Sequence, residues 1–313
     1  MRRKPTYAQR LLDDDPSDAD AWCLKAGTHG ARGDLKKATQ YYDHALSIDP
    51  HHVEALVWRG VVAYATNQTD SAIEYFRRAL KQDPDHARAC FHLGLAYLRT
   101  SPERAATYFR RAASLFPGYV DAHHELAKVF LGFGEPKKAE EACRLAIGFE
   151  LDNAEAHYHL GMSYSMQGQF DQAVKSFHQA IRLNPELAEA HLACSDAWQQ
   201  QSEIASAIQH LRRAIRLRPE WIDPTAKLAW LLATGNDEKL RDGKEAVRLA
   251  LQCLQQVESH QTLDILAAAH AEVGDFESAV KRQKQAIAQA PEEARIGLES
   301  RLKRYNQQQP YRR

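Results

Sequence analysis

The stretch AEAHYHLGMSYSMQGQFDQAVKSFHQAIRLNPEL, residues 154–187, decides the fold of this chain. Its two apolar segments carry apolar residues three and four positions apart, which is the spacing of a helix and not of a strand. Gly168 separates the segments as a turn former, and Pro185 follows the second segment, where it prevents the helix from continuing. The stretch therefore predicts two short helices joined by a tight turn and ended by a proline.

The same pattern recurs along the chain with a period near 34 residues. The turn prolines that mark this period are Pro50, Pro84, Pro117, Pro185, Pro219 and Pro291. Small residues keep the same phase, and the clearest column, in the second helix, reads Ala38, Ala72, Ala105, Ala139, Ala173, Ala207, Ala246 and Ala279. A period of this length predicts a solenoid in which one helix pair is stacked many times.

Gly161, Tyr164, Ala173, Phe177 and Pro185 stand as in the signature of the tetratricopeptide repeat (TPR), and the chain resembles that family. The resemblance implies an all-α, right-handed superhelical solenoid of helix-turn-helix units. It also implies a protein that works by presenting a long surface to a partner.

The resemblance divides the chain into three expected parts. Residues 1–18 would supply the second helix of a partial repeat, residues 19–291 eight TPR units in one continuous solenoid, and residues 292–313 a capping helix and tail. Residues 228–312 resemble the closing segment of bacterial TPR arrays, which implies a terminal cap and a bacterial origin.

Composition excludes several other classes of function. The chain has 41 basic and 41 acidic side chains, so no net charge attracts it to nucleic acid or to an anionic membrane. The N-terminus lacks the apolar core of a signal peptide, and no stretch predicts a membrane-spanning helix. The 5 cysteines are widely spaced without a CxxC pair, which indicates free packing thiols and favours a reducing, cytoplasmic compartment.

The family resemblance implies that the first helix of each repeat lines a concave groove, with positions 5, 9 and 12 of that helix facing a partner. The middle repeats hold apolar and aromatic residues at these positions, so we expect recognition to depend on the second to fifth complete units. The residues expected to bind a partner are Val57, Val61, Tyr64, Phe91, Leu95, Leu98, His124, Lys128, Tyr158, Met162, Leu192 and Trp230. Position 9 lacks the asparagines of the family's chaperone-tail clamp, so binding of chaperone tails is not expected.

Two charged or titratable patterns allow more than one interpretation. Acidic residues at position 2, such as Asp20 and Glu54, could select basic peptides or could complement the helix dipole. His123, His157 and His191 lie 34 residues apart, yet neighbouring helices are about 8–10 Å apart, too far for these side chains to share one ion. We therefore expect no metal site and no cofactor.

No catalytic motif is visible in the sequence, so we do not expect an enzyme. The favoured hypothesis is a protein-interaction scaffold that holds a peptide or helix of a partner in the concave groove. One alternative is a substrate-selecting arm of a larger enzyme, such as a glycosyltransferase or kinase. The other is an array that associates with itself through its end repeats.

Overall fold

A computed structural model describes residues 7–312, and every regular element in this range is helical. The α-helices are α1 Tyr7–Asp14, α2 Ala19–Gly30, α3 Leu35–Ile48, α4 Val53–Ala65, α5 Thr69–Gln82, α6 Ala87–Tyr97, α7 Pro102–Leu115, α8 Val120–Gly132, α9 Pro136–Phe149, α10 Ala154–Met166, α11 Phe170–Leu183, α12 Ala188–Gln200, α13 Ile204–Leu217, α14 Ile222–Thr234, α15 Gly243–Gln256, α16 His260–Glu272, α17 Phe276–Gln289 and α18 Glu292–Asn306. A single 3₁₀ turn, Glu238–Leu240, lies between α14 and α15. Within the described range, no helix is both long and apolar enough to cross a membrane. The all-α fold class predicted from the sequence is confirmed.

Contacts divide the chain into two compact units, an N-terminal unit of residues 1–159 and a C-terminal unit of residues 160–313. In the N-terminal unit, α2 packs on α3, α4 on α5, α6 on α7 and α8 on α9. In the C-terminal unit, α12 packs on α13, α14 on α15 and α16 on α17, and α18 packs on α17. Successive helices thus form the antiparallel pairs that the period predicts.

The columns of small residues lie where the two helices of a pair come closest. Every alanine of the column that begins at Ala38 has no exposed surface. At Gly94 an added Cβ would lie 2.6 Å from the ring of Phe109, and at Gly161 it would lie 2.5 Å from the ring of Phe177. A larger residue at these positions would therefore overpack the contact between the helices.

The turn inside most helix pairs contains one residue of left-handed backbone conformation. Six of the eight helix pairs have such a residue, with φ between 60° and 84°: Gly33, Asn67, Gly134, Gly168, Ser202 and Gly274. Glycine adopts this conformation without steric cost, whereas a residue with a Cβ does not. This turn fixes the direction in which the second helix returns along the first.

Helix α18 covers the apolar face of α17. Leu298 and Tyr305 are 2% and 1% exposed. Beside them Asp264 is buried and accepts hydrogen bonds from Arg301 Nε at 2.8 Å and from Gln283 Nε2 at 2.9 Å. The pairing with Arg301 and Gln283 satisfies a carboxylate that would be costly to bury alone.

Candidate partner-binding surfaces

The N-terminal unit contains a cavity of about 780 Å³ formed by α2, α3 and α4. Gly27 and Gly30 leave space on α2, and the buried ring of Tyr42 forms the floor of this space. Leu24, which is 49% exposed, and Val61 form apolar walls. The small residues at positions 9 and 12 of the first repeat therefore create a socket large enough for a bulky side chain. We call this cavity the α2–α4 socket.

Acidic residues border the α2–α4 socket, and each of them contacts a histidine of the next repeat. Asp20 Oδ1 lies 3.0 Å from His52 Nε2, and Glu54 Oε1 lies 3.2 Å from His86 Nε2. The other ring nitrogen of His52 accepts the N–H of Ala55 at 3.3 Å and caps α4. The histidine tautomer that accepts this N–H carries its proton on Nε2, so it donates to the acid. These position-2 acids thus connect neighbouring repeats as well as bordering the socket.

The thiol of Cys23 lines the socket but is poorly suited to react. Burial raises the pKa of this thiol to about 12, and the nearby carboxylates of Glu54 and Asp20 add to the effect. The nucleophilic form of cysteine is the thiolate, which is scarce at neutral pH for a group with this pKa. The socket therefore offers apolar contact, not covalent chemistry.

Two of the residues that the sequence assigns to the groove lie inside the packing of the N-terminal unit. Val57 has no exposed surface, and Phe91 is 8% exposed. The ring of Phe91 packs at 5.6 Å from that of Phe109 and at 4.9 Å from that of Tyr119. These side chains hold neighbouring helices together and leave little surface for a partner.

Other predicted groove residues of this unit reach its surface. Val61, Leu95 and Leu98 are half-buried on α4 and at the end of α6, and Tyr64 is 37% exposed. The Tyr64 hydroxyl donates to the carbonyl of Leu95 at 3.4 Å, which directs its ring along the neighbouring helix. Tyr64 therefore contacts the end of α6, and Val61, one turn before Tyr64 on α4, lines the socket.

Polar members of the predicted set interact with neighbouring side chains outside that set. His124 Nε2 lies 3.0 Å from His159 Nδ1, and Lys128 forms an ion pair with Glu125 at 2.9 Å. Burial lowers the pKa of His159 to about 4 and also lowers the pKa of His124. Tyr158 lies half-buried with its ring 5.0 Å from that of His159. At neutral pH this cluster is uncharged apart from Lys128 and its carboxylate neighbours.

In the C-terminal unit a cavity of about 890 Å³ lies among α12, α14, α16 and α18, and Trp230 lines it. The end of the chain covers Trp230: the ring of Tyr311 lies 5.9 Å away and the guanidinium of Arg301 lies 5.5 Å from the indole. Met162 and Leu192, the other predicted groove residues of this unit, are half-buried. Tyr311 is not among the predicted groove residues, although it is an aromatic residue in an otherwise polar tail.

Comparisons with known proteins agree with this architecture. Models of the tetratricopeptide repeat match residues 6–53, 31–89, 100–156 and 154–187, which together exceed half of the chain. No curated protein matches the sequence.

Three solved structures illustrate the structural likeness. The pilF protein of Pseudomonas aeruginosa is 24% identical with a TM-score of 0.59, covering 68% of this chain and 96% of that one. A chain of the APC/C hetero-tetramer Cut9–Hcn1 is 18% identical with a TM-score of 0.59, covering 95% of this chain and 58% of that one. YrrB, a TPR protein with an unusual peptide-binding site, is 20% identical with a TM-score of 0.51, covering 59% of this chain and 96% of that one.

These likenesses concern the fold, since all three identities are low. The matched repeat models, the 34-residue period and the successive helix pairs agree with one another. The chain belongs to the tetratricopeptide repeat family.

Proposed function

We propose that this protein is a non-catalytic interaction scaffold whose N-terminal unit binds a segment of a partner protein at the α2–α4 socket. The observation that carries the proposal is the cavity of about 780 Å³ with an apolar floor and walls. TPR arrays expose their first helices along one face, and a hollow on that face suits a protruding side chain. Anchor residues that enter such hollows commonly dominate the energy of an interface.

The side chains that line the socket favour a partner segment of a particular chemistry. Tyr42, Leu24 and Val61 offer contact to a large apolar side chain, and Asp20 and Glu54 add negative charge at the edge. The side chain of Asp20 is 86% exposed, so it keeps capacity for a cation while it contacts His52. We infer an extended or helical segment with a bulky apolar anchor next to lysine or arginine.

The surface beside the socket would extend the contact. Tyr64 lies one turn after Val61 on α4 and contacts the carbonyl of Leu95, and Leu98 follows at the end of α6. An occupant anchored in the socket would reach these residues along the same face. For the other predicted groove residues, from His124 to Trp230, a role in binding stays a prediction.

A display selection with short random peptides tests the proposal. We expect wild-type protein to enrich peptides that carry an aromatic or large aliphatic residue beside a basic one. In anisotropy measurements with a selected peptide, the double variant Leu24→Lys, Val61→Lys should bind about tenfold more weakly or worse, since it places two charges in an apolar socket.

The matched control is Leu251→Lys on α15, because Leu251 is 40% exposed but lines no cavity described above. This control should bind like wild type, and far-UV circular dichroism should show that all variants are folded. Equal binding by the double variant and by wild type would place the partner site on another surface. Failure to enrich any peptide would contradict the proposed function itself.

A further inference from the structure

Three residues on consecutive helices bring metal-binding atoms together in the C-terminal unit. His178 lies on α11, Cys194 on α12 and His210 on α13. Their ligand atoms all lie within 4.8 Å of one another. Cys194 is buried, His210 is half-buried and His178 is exposed, so the cluster has a buried side and a side that solvent reaches.

The distance between the two inner ligand atoms fits a bound zinc ion. Cys194 Sγ lies 3.6 Å from His210 Nε2. Tetrahedral zinc, with a Zn–S bond of about 2.3 Å and a Zn–N bond of about 2.0–2.1 Å, separates a sulfur and a nitrogen ligand by about 3.6 Å. Two ligands are therefore already spaced as a zinc ion requires. The third belongs to an exposed side chain, so a small rotation of His178 can close the remaining gap.

A fourth residue orients His210 for coordination. His191 Nδ1 lies 3.0 Å from His210 Nδ1, so one of these nitrogens must donate and the other accept. At the equivalent positions of earlier repeats, Nε2 of His123 and of His157 lies 2.8 Å and 3.2 Å from a backbone carbonyl. His191 occupies the same repeat position, but its buried Nε2 has no hydrogen-bond partner.

The tautomer of His123 and His157, applied to His191, gives the proton positions of the two histidines. With its proton on Nε2, His191 accepts at Nδ1 a hydrogen bond that the Nδ1–H of His210 donates. The lone pair of His210 then lies on Nε2, the atom that faces Cys194 Sγ. A ligand histidine held at its other nitrogen by a hydrogen bond is the usual support of a zinc site.

The ligand types select the ion. Two imidazoles and a thiolate suit zinc, whereas calcium and magnesium prefer oxygen ligands, and the three ligand residues include no carboxylate. We propose that His178, Cys194 and His210 bind one zinc ion, with a fourth position left for water or an external ligand. On coordination the thiol loses its proton to solvent and binds as thiolate. The ion would link α11 of one repeat to α12 and α13 of the next.

Zinc titration of the full-length, tag-free, chelator-stripped protein tests the proposal. In competition with a chromophoric chelator, wild type should bind one equivalent. Cys194→Ser and His210→Gln should weaken zinc binding by about 100-fold or more, since each removes a direct ligand. His191→Gln should weaken it by about 10- to 100-fold, as expected for a residue that orients a ligand.

Two further variants separate coordination from folding. His178→Gln changes an exposed side chain, so this variant should stay folded and yet bind zinc at least about tenfold more weakly. Cys253→Ser removes another buried cysteine of the same unit and should bind like wild type.

Cobalt supplies a direct signature of the ligands. The wild-type cobalt complex should show the charge-transfer band of a cobalt–thiolate bond, and Cys194→Ser should lack it while Cys253→Ser keeps it. Absence of stoichiometric zinc binding in wild type would overturn the proposal. Equal zinc affinity in wild type and His178→Gln, or an unchanged thiolate band in Cys194→Ser, would overturn it as well.

Discussion

Single glycines set the distance between the two helices of a repeat. At Gly94 an added Cβ would lie 2.6 Å and 2.7 Å from two ring atoms of Phe109, which has no exposed surface. Gly60 and Gly161 show the same contact with Phe76 and Phe177. A planar ring enclosed on all sides cannot move away, so these positions exclude every side chain.

The variant Gly94→Ala should therefore destabilise the protein. Overpacking of this kind costs about 1–3 kcal/mol, while alanine gains about 1 kcal/mol over glycine in helix propensity. We expect a net loss of up to about 2 kcal/mol in the free energy of unfolding, measured by urea denaturation.

Gly148→Ala is the matched control, because no atom lies within 4 Å of a Cβ added to this glycine of α9. This variant should gain up to about 1 kcal/mol. The cost of Gly94→Ala should also shrink in a Phe109→Leu background, since the two sites are in contact. An equal effect of Gly94→Ala and Gly148→Ala would disprove the contact argument.

Sequence periodicity identifies the buried small residues. It is less able to distinguish residues that line the groove from residues that pack between helices. The repeat predicts which face of a helix each residue occupies, and the alanine columns are buried as that pattern requires. Val57 and Phe91 share the face of Val61 and Leu95, yet the first two are buried and the last two are half-buried. A helical side chain leans towards the N-terminal end of its helix, so one face includes both surface and inter-helix positions. The distinction depends on the neighbouring helix, which periodicity does not describe.

At the scale of the helix pair, the left-handed turn residue controls how the two helices meet. Four repeats have glycine there, whereas one has Asn67 with φ 60° and another has Ser202 with φ 63°. Asparagine tolerates this conformation better than serine does. Ser202 is therefore the most strained residue of this turn position.

Replacing Ser202 with glycine should stabilise the C-terminal unit. The left-handed conformation costs a residue with a Cβ about 1–2 kcal/mol, and glycine loses about 0.5–1 kcal/mol more in chain entropy on folding. We expect Ser202→Gly to raise the free energy of unfolding by about 0.5–1 kcal/mol in urea titration. Asn67→Gly should give a clearly smaller gain, and a larger gain for Asn67→Gly than for Ser202→Gly would refute the ranking.

The helix pairs could be predicted from sequence, but the His178, Cys194 and His210 cluster could not. The histidines that the repeat pattern brings to notice are His123, His157 and His191, which occupy one position on successive first helices. The cluster instead joins the second helix of one repeat, α11, to both helices of the next repeat, α12 and α13. These residues have no common repeat position, so their proximity becomes visible only when the helices are packed.

At the scale of the whole chain, its end packs against the first-helix surface of the C-terminal unit at Trp230. The ring of Tyr311 packs against that of Trp230 at a tilt of 40°. Arg312 Nη1 forms an ion pair with Glu272 Oε2 at 2.6 Å and lies 3.4 Å from the carbonyl of Ala233. In the N-terminal unit the α2–α4 socket is open in the described residues.

Deletion of residues 310–313 should uncover Trp230 without unfolding the protein. Glu272 keeps its ion pair with Arg241 at 2.8 Å, and α18 keeps its buried Leu298 and Tyr305, so we expect a stability loss of only about 1 kcal/mol. Acrylamide should then quench tryptophan fluorescence more strongly in the truncated protein than in the full chain. Because the chain has 5 tryptophans, the same deletion in a Trp230→Phe background is the control, and there the extra quenching should disappear. Equal quenching with and without the tail would mean that the tail does not cover Trp230 in solution, and the C-terminal unit would then offer a second open surface to partners.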